Sequence, residues 1–245
     1  MVTSAKDTPS PTPSEANRVR ALYFLSLAQP QVTLGRRWYN LAKRVLDIVA
    51  ATLLLLLLSP VMLVIALLIK ATSAGPAILV QERIGKGGKV FAFYKFRSMY
   101  NDLDRSLDER FARGYINGNP HPAATWDGVF KPANDQRVTP VGRFLRKASL
   151  DELPQLFNIL KGDMSLVGPR PSMPYEVDVY KPWHFRRLEV LPGMTGLAQV
   201  NGRSNLTFKD IVKIDLEYIE RRSLWLDLQI LLRTVPVVLS AQGAR

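Results

Sequence analysis

From Val45 to Ile69 the only residues that are not apolar are Asp47, Thr52, Ser59 and Pro60. Roughly 25 residues rising 1.5 Å each can cross a hydrocarbon core about 30 Å thick, so lipid sets the first condition on how this chain folds. A plain spanning helix meets that length. Two features favour a helix that enters one leaflet and turns back. Pro60, near the middle, removes one backbone hydrogen bond and crowds the preceding turn. Ser59 beside it can bond the carbonyl so freed, which makes a break tolerable in lipid. The second feature is charge. Arg36, Arg37, Lys43 and Arg44 precede the run, and Lys70, Arg83, Lys86 and Lys89 follow it. A spanning segment leaves one flank poor in Lys and Arg, whereas both flanks here read as cytoplasmic. The preferred reading is a re-entrant helix over residues 43–72, broken at Ser59 and Pro60, with Asp47 near the interface and paired with Lys43 or Arg44. A cleavable signal peptide fits poorly, because the run starts late, exceeds an h-region and lacks a small-residue cleavage site.

Around this anchor the chain divides unevenly. Residues 1–17 are rich in Ser, Thr, Pro and Ala and read as a disordered tail. Residues 18–42 form a short amphipathic and basic segment, and residues 73–245 resemble an ordinary water-soluble chain. Its 245 residues suit one domain with a real core. The formal net charge of +12 and pI of about 10.1 favour anionic partners: nucleic acid, acidic headgroups or phosphorylated substrates. The chain has no cysteine, which excludes disulfides and thiolate metal sites. His121 and His184 are the only histidines, so zinc sites and a Ser-His-Asp triad are poorly supported. Chemistry must rest on carboxylates, basic side chains and a hard metal ion.

The expected fold class is α+β: a membrane-embedded re-entrant helix, a small cytosolic α/β catalytic domain and interfacial amphipathic helices. Ala77 to Arg83 and Val90 to Phe96 read as a β-hairpin across Gly85-Lys86-Gly87-Gly88. Asn101 to Asn134 is polar and reads as a helix followed by a loop. Leu153, Leu156, Phe157 and Leu160 recur at helical spacing, Gly162 suits the position just past the helix end, and Pro154 must lie in the first turn. Asp151 and Glu152 then fall at or just before that helix. Phe208 to Leu239 is amphipathic, with Pro236 limiting any helix there.

Adjacent acids at a helix start have an ordinary explanation, since Ser149-Leu150-Asp151-Glu152 matches a capping box. Pro154 shifts the cap toward Asp151, however, and Arg143, Arg146 and Lys147 cluster just ahead. That mixture suits attack of a carboxylate on phosphorus, which divides one difficult transfer into two easier ones. Cations and Mg²⁺ would screen the attacked diphosphate, and Mg²⁺ commonly takes one or two carboxylates together with phosphate oxygens. Downstream, Gly168, Pro169 and Pro171 hold Arg170 on a stiff turn suited to phosphate. A Gly-rich element from Pro192 to Arg203 offers Gln199, Asn201 and Arg203 to a nucleotide or sugar, and is equally readable as a loop and edge strand.

The ordered combination of blocks is more specific than any one of them. It runs from Lys43-Arg44 and Asp47 through Ser59-Pro60, Gly75-Pro76, Gln81 to Gly85, and Tyr94 to Met99. Gly142 to Asn158 is the strongest block, followed by Lys161 to Pro171, Pro192 to Gly196, Ala198 to Arg203 and Trp225 to Asp227. From about Lys43 to Val235 the chain resembles the monotopic phosphoglycosyl transferases, also called bacterial sugar transferases. The resemblance implies transfer of a hexose-1-phosphate from a UDP-sugar to polyprenyl phosphate, usually undecaprenyl phosphate, with release of UMP. It implies Asp151 as the nucleophile, Glu152 as its partner assisting the acceptor phosphate or the metal, and Mg²⁺ as cofactor, held by Asp151 and Glu152. Arg146 and Arg170, with Arg143 and Lys147, fall at phosphate-handling positions; Lys95 and Arg97 join Gln199, Asn201 and Arg203 as weaker nucleotide or sugar contacts. Where many relatives have Asp-Pro-Arg-Ile-Thr, this chain has Asp135-Gln136-Arg137-Val138-Thr139, a modest departure. With only residues 1–42 ahead of the core, it reads as the minimal catalytic form, placed on the bacterial cytoplasmic membrane and facing the cytoplasm.

The competing reading is a membrane-tethered basic protein that binds nucleic acid or acidic lipid. Its cations are scattered among Gly-Pro turns and no nucleic-acid motif appears, so no nucleic-acid partner is expected. The sequence leaves open the sugar, the glycan that is built and whether the chain forms a homodimer.

Overall fold

A computed structural model describes residues 37–100, 106–118, 136–202 and 206–239. The tail 1–17, residues 18–36 of segment 18–42, His121 and Arg203 lie outside the described residues. Helix α1 spans Arg37–Thr72, an unbroken helix through Pro60. Ser59 and Pro60, where the break is expected, lie within it. Pro60 has no N–H to give the Leu56 carbonyl, and the Ser59 hydroxyl donates to that same carbonyl at 3.0 Å, so the helix loses no partner there.

One face of α1, carrying Asp47, Ala51, Met62, Ile65 and Ile69, is buried against the rest of the protein. Most of its other apolar side chains are open, and only 17% of its most apolar window is covered. By length and composition it is able to cross a membrane. Yet both of its ends are fastened to the same body. Near the start, Lys43 pairs with Asp227 at 2.8 Å, and Arg44 donates to the Ile159 and Leu160 carbonyls. At the far end, Arg97 donates to the Ser73 carbonyl at 2.8 Å. Asp47 is not paired with Lys43 or Arg44 as its spacing suggests. Buried among backbone, its Oδ1 accepts from the Leu166 N–H at 3.0 Å, because both cations are taken by better-placed acceptors.

Strands β1 (Ile78–Ile84) and β2 (Val90–Phe96) form the expected antiparallel hairpin, with Ile78 opposite Phe96 and Ile84 opposite Val90. Gly87 and Gly88 take positive φ of 67° and 73° in its turn, where a side chain would be strained. Helices α2 (Ser106–Asn117), α3 (Pro140–Lys147) and α4 (Gln155–Lys161) follow, then β3 (Ser165–Val167) and α5 (Pro174–Val177). A 3-10 helix (Pro182–Glu189) leads to β4 (Gly193–Thr195), which pairs in parallel with β3. Helices α6 (Leu197–Asn201), α7 (Phe208–Arg221) and α8 (Leu224–Leu239) complete the described chain. Pro236 lies inside α8 and does not prevent it from continuing to Leu239. The architecture is thus a long apolar helix and several short helices around two two-stranded sheets.

The apolar stripe on α4 differs from its spacing. Leu156 and Ile159 are wholly buried while Phe157 is 44% exposed. The helix is rotated by Asn158: its Oδ1 accepts from the Tyr94 N–H at 3.0 Å and its Nδ2 donates to the Ala92 carbonyl at 2.6 Å. A buried amide that satisfies a strand edge in this way outweighs exposure of one aromatic ring. Gly162, at φ 87°, ends α4 as its sequence position suggests.

Candidate active site

The Thr139 hydroxyl accepts from the Gly142 N–H at 2.9 Å, and Pro140 fills the first turn, so α3 starts with its orphan groups provided for. A Cβ on Gly142 would sit 2.0 Å from the Ser98 carbonyl oxygen. That close approach to the segment after β2 lets Arg146, one turn on, donate its Nε to Ser98 Oγ at 3.0 Å. The chain then leaves α3 through Ser149, at φ 54° and ψ 20°, the one non-glycine residue of positive φ among the described residues. Such a conformation costs an L residue about 1–2 kcal/mol. The Ser149 side chain makes no capping bond, so the capping box suggested by its spacing does not form. Asp151 and Glu152 belong to a separate 3-10 turn, Leu150–Glu152, and α4 has no acid in its first turn.

This acidic turn faces Arg170. Glu152 Oε1 accepts from Arg170 Nη1 at 3.2 Å, with both side chains partly exposed. Desolvation pulls the Arg170 pKa down, but Glu152 above all, with Glu176 and Asp151, raises it past its ordinary value. The charge of Asp151 is therefore within electrostatic reach of the same guanidinium. The Arg170 turn is rigidly seated. The Gly168 N–H donates to the Thr195 carbonyl at 2.9 Å, and the Gly193 N–H to Pro169 at 2.8 Å. A Cβ on Gly193 would lie 2.0 Å from the Gly168 nitrogen, so β4 and the turn meet backbone to backbone. The acidic turn also packs on β2, which carries the half-buried Lys95.

Helix α1 supports the same turn. Leu150 and Leu153 pack with Leu145, Phe96 and, from α1, Met62, Ile65 and Ile69. Carboxylates, guanidiniums and an apolar anchor thus meet within a few residues.

A family model described as bacterial sugar transferase matches residues 38–241. The chain belongs to that family. Among bacterial sugar transferases it is 45% identical over 219 residues to the undecaprenyl-phosphate galactose phosphotransferase of Salmonella typhimurium, covering 89% of this chain and 44% of that protein. It is 43% identical over 224 residues to the UDP-glucose:undecaprenyl-phosphate glucose-1-phosphate transferase of Caulobacter vibrioides, covering 88% and 76%. The exopolysaccharide production protein ExoY of Rhizobium meliloti is 41% identical over 205 residues, covering 84% and 88%. The chain thus spans less than half the length of the Salmonella transferase but most of the other two.

The other sequence-derived site residues are dispersed. Arg143 and Lys147 are exposed on α3. Arg97 is buried and turned to the end of α1, where it holds both the carbonyl and the hydroxyl of Ser73. Gln199 donates to the Met194 carbonyl at 3.0 Å within its own loop, and Asn201 is exposed at the end of α6. Two further arginines escaped sequence reasoning. Arg83, 6% exposed, stacks 5.0 Å over the Phe93 ring and donates to the Pro171 carbonyl at 3.0 Å. Arg187 is equally buried, pairs with Asp215 at 2.7 Å and donates to the Arg170 carbonyl at 3.3 Å. Arg83 alternates with Gln81 and Leu79 along β1, and a cation on a strand end just before a glycine turn is the signal that could have found it. No sequence pattern marks Arg187. His184 is buried among Tyr180, Trp183 and Phe208, and its Nδ1 accepts the Lys181 N–H. Burial first, then Arg187 and Lys181, lower its pKa to about 4, which leaves it neutral and structural at pH 7.

Proposed function

We propose that the protein transfers a sugar-1-phosphate from a UDP-sugar to polyprenyl phosphate, giving polyprenyl-diphosphate-sugar and UMP. It would begin assembly of a bacterial surface glycan on the cytoplasmic face of the cytoplasmic membrane. The observation that carries this reading is the acidic turn itself. Glu152 pairs with Arg170, Asp151 lies within electrostatic reach of the same guanidinium, and the turn that carries both rests on an apolar helix suited to lipid. The relatives' names, which specify undecaprenyl-phosphate sugar phosphotransferases, support it.

In this reading an Asp151 oxygen attacks the sugar-bearing phosphorus of the donor. The bond to the bridging oxygen breaks and UMP leaves with the electron pair, which yields an aspartyl phosphosugar. A phosphate oxygen of the polyprenyl acceptor then attacks the same phosphorus and restores the Asp151 carboxylate. Arg170 and Arg146 would receive phosphate oxygens and screen the charge that repels Asp151. Glu152, held by Arg170, would keep that guanidinium in place and orient the incoming acceptor. Among the described residues no group of three or more acidic or imidazole side chains could form a preformed metal cage. Two carboxylates nevertheless fit Mg²⁺, which completes its shell with water and substrate phosphate. Held by Asp151 and Glu152, Mg²⁺ would supply charge that neutralises the diphosphate.

The fastenings of α1 support a re-entrant path. A crossing would set its ends about 30 Å apart on opposite sides of the bilayer, yet Arg44 and Ser73 both bond to one polar body. That body would remain on one side.

The test is UMP release by detergent-solubilised protein with polyprenyl phosphate, Mg²⁺ and a panel of UDP-sugars. At least one sugar should be turned over, and Asp151→Asn should abolish release while the protein stays folded. Loss of a mere helix cap would instead cost only about 0.5–2 kcal/mol of stability. Unchanged turnover in a folded variant would contradict the role of Asp151.

A further inference from the structure

Three successive carbonyls behind Arg170 are all spoken for. The Arg170 carbonyl accepts from Arg187 Nη2 at 3.3 Å, the Pro171 carbonyl from Arg83 Nη1 at 3.0 Å, and the Ser172 carbonyl from the Ile84 N–H at 2.9 Å. Pro169 and Pro171 on either side fix two more φ angles. Arg187 is itself locked by Asp215 at 2.7 Å and by the Tyr180 hydroxyl at 2.7 Å. Its role is legible as a buried ion pair that also braces the turn.

Arg83 is less easily explained by stability. It is 6% exposed, its Nη2 reaches Gln81 Oε1 only at 3.4 Å, and its Nε is buried without a partner. No carboxylate pairs with it in a salt bridge among the described residues. Instead it lies within electrostatic range of Arg170, Glu176 and Glu152; burial, and next the Arg170 charge, lower its pKa to about 10 against the opposing pull of the two carboxylates. An apolar side chain over Phe93 would satisfy the core at less cost than a buried charge of the same sign as its neighbour. What only an arginine provides there is a rigid donor to the Pro171 carbonyl together with positive potential behind Arg170.

We propose that Arg83 is a positioning residue for Arg170: it fixes the backbone that aims the Arg170 guanidinium at the donor's diphosphate. This rests on the sugar-phosphate-transfer reading above. Arg83 touches no reacting atom and acts through Arg170.

The full chain in detergent, as wild type, Arg83→Met, Arg83→Lys, Arg170→Ala and the double variant Arg83→Met/Arg170→Ala, tests this. KM and kcat are measured for the UDP-sugar that the wild type uses, KM for polyprenyl phosphate, and Kd for UDP with Mg²⁺. Arg83→Met is expected to raise donor KM and UDP Kd about 10-fold or more, the scale of one lost charge-assisted hydrogen bond. Acceptor KM should hardly move. Arg83→Lys keeps the charge without the planar fork, so it should show an intermediate rise and remain readable if the Met variant does not fold. In the Arg170→Ala background, Arg83→Met should add less than about 2-fold, since its effect has lost its target. Multiplying effects, or an unchanged donor KM and UDP Kd in either folded single variant, overturns the proposal. A wild type that releases UMP from no UDP-sugar counts against the transfer reading alone, because UDP affinity still scores Arg83. A wild type that binds no UDP overturns both.

Discussion

Ser149, at φ 54°, is the residue on which the chain swings from α3 into the acidic turn. Its spacing to Glu152 spells a capping box, and the structure turns it into a left-handed corner that separates α3 from the acidic turn. The place of Asp151 and Glu152 ahead of α4 was legible because Pro154 can stand only at the start of a helix. Their detachment from α4 was not, since it depends on Gly142 docking against Ser98, a contact 44 residues away in sequence. His184 carries a prediction of its own. Its folded pKa, about 4, lies below the ordinary value of 6.5. Between those values the unfolded chain binds more protons than the folded one, so stability contributed by neutral His184 is complete above about pH 6.5. It is lost as pH falls toward 4. Thermal melts in detergent from pH 7.5 to 4.5 should show a steeper decline for the wild type than for His184→Gln. Parallel declines would mean that folding does not lower the His184 pKa.

At the scale of elements, the hairpin and the end of α4 at Gly162 were readable from turn chemistry. The rotation of α4 was not, because periodicity counts Phe157 as apolar and Asn158 as polar. Only the exposed edge of β2 makes the amide worth burying and the ring worth exposing. Helix α1 was legible in its apolar content and in the chemistry of Ser59 beside Pro60. The Ser59 hydroxyl on the Leu56 carbonyl is the bond that this chemistry suggests. The path of α1 through lipid has a direct check. In the naturally cysteine-free chain, single cysteines replacing Arg37 and Lys86 should both react with a membrane-impermeant reagent from the cytoplasmic side. Labelling from opposite sides would establish a spanning helix.

Across the whole molecule, the parts converge on helix α1. Asp227 on α8 gathers Lys43 at 2.8 Å, the Tyr39 hydroxyl at 3.0 Å and the Tyr218 hydroxyl at 2.8 Å, which ties the start of α1 to the C-terminal helices. The far half of α1 carries the acidic turn, and the buried arginines hold Arg170 opposite it. None of these long-range bonds has a sequence period, which explains why the blocks were recognisable in order while their mutual contacts were not. The central claim is that Asp151 becomes covalently attached to sugar phosphate. Intact-protein and peptide mass spectrometry after incubation with Mg²⁺ and the accepted UDP-sugar, with polyprenyl phosphate withheld, measures this directly. The account predicts an added sugar phosphate on the peptide containing Asp151, absent from Asp151→Asn and discharged when polyprenyl phosphate is supplied. Turnover-competent protein that never carries this mass, or carries it on another residue, would contradict the account.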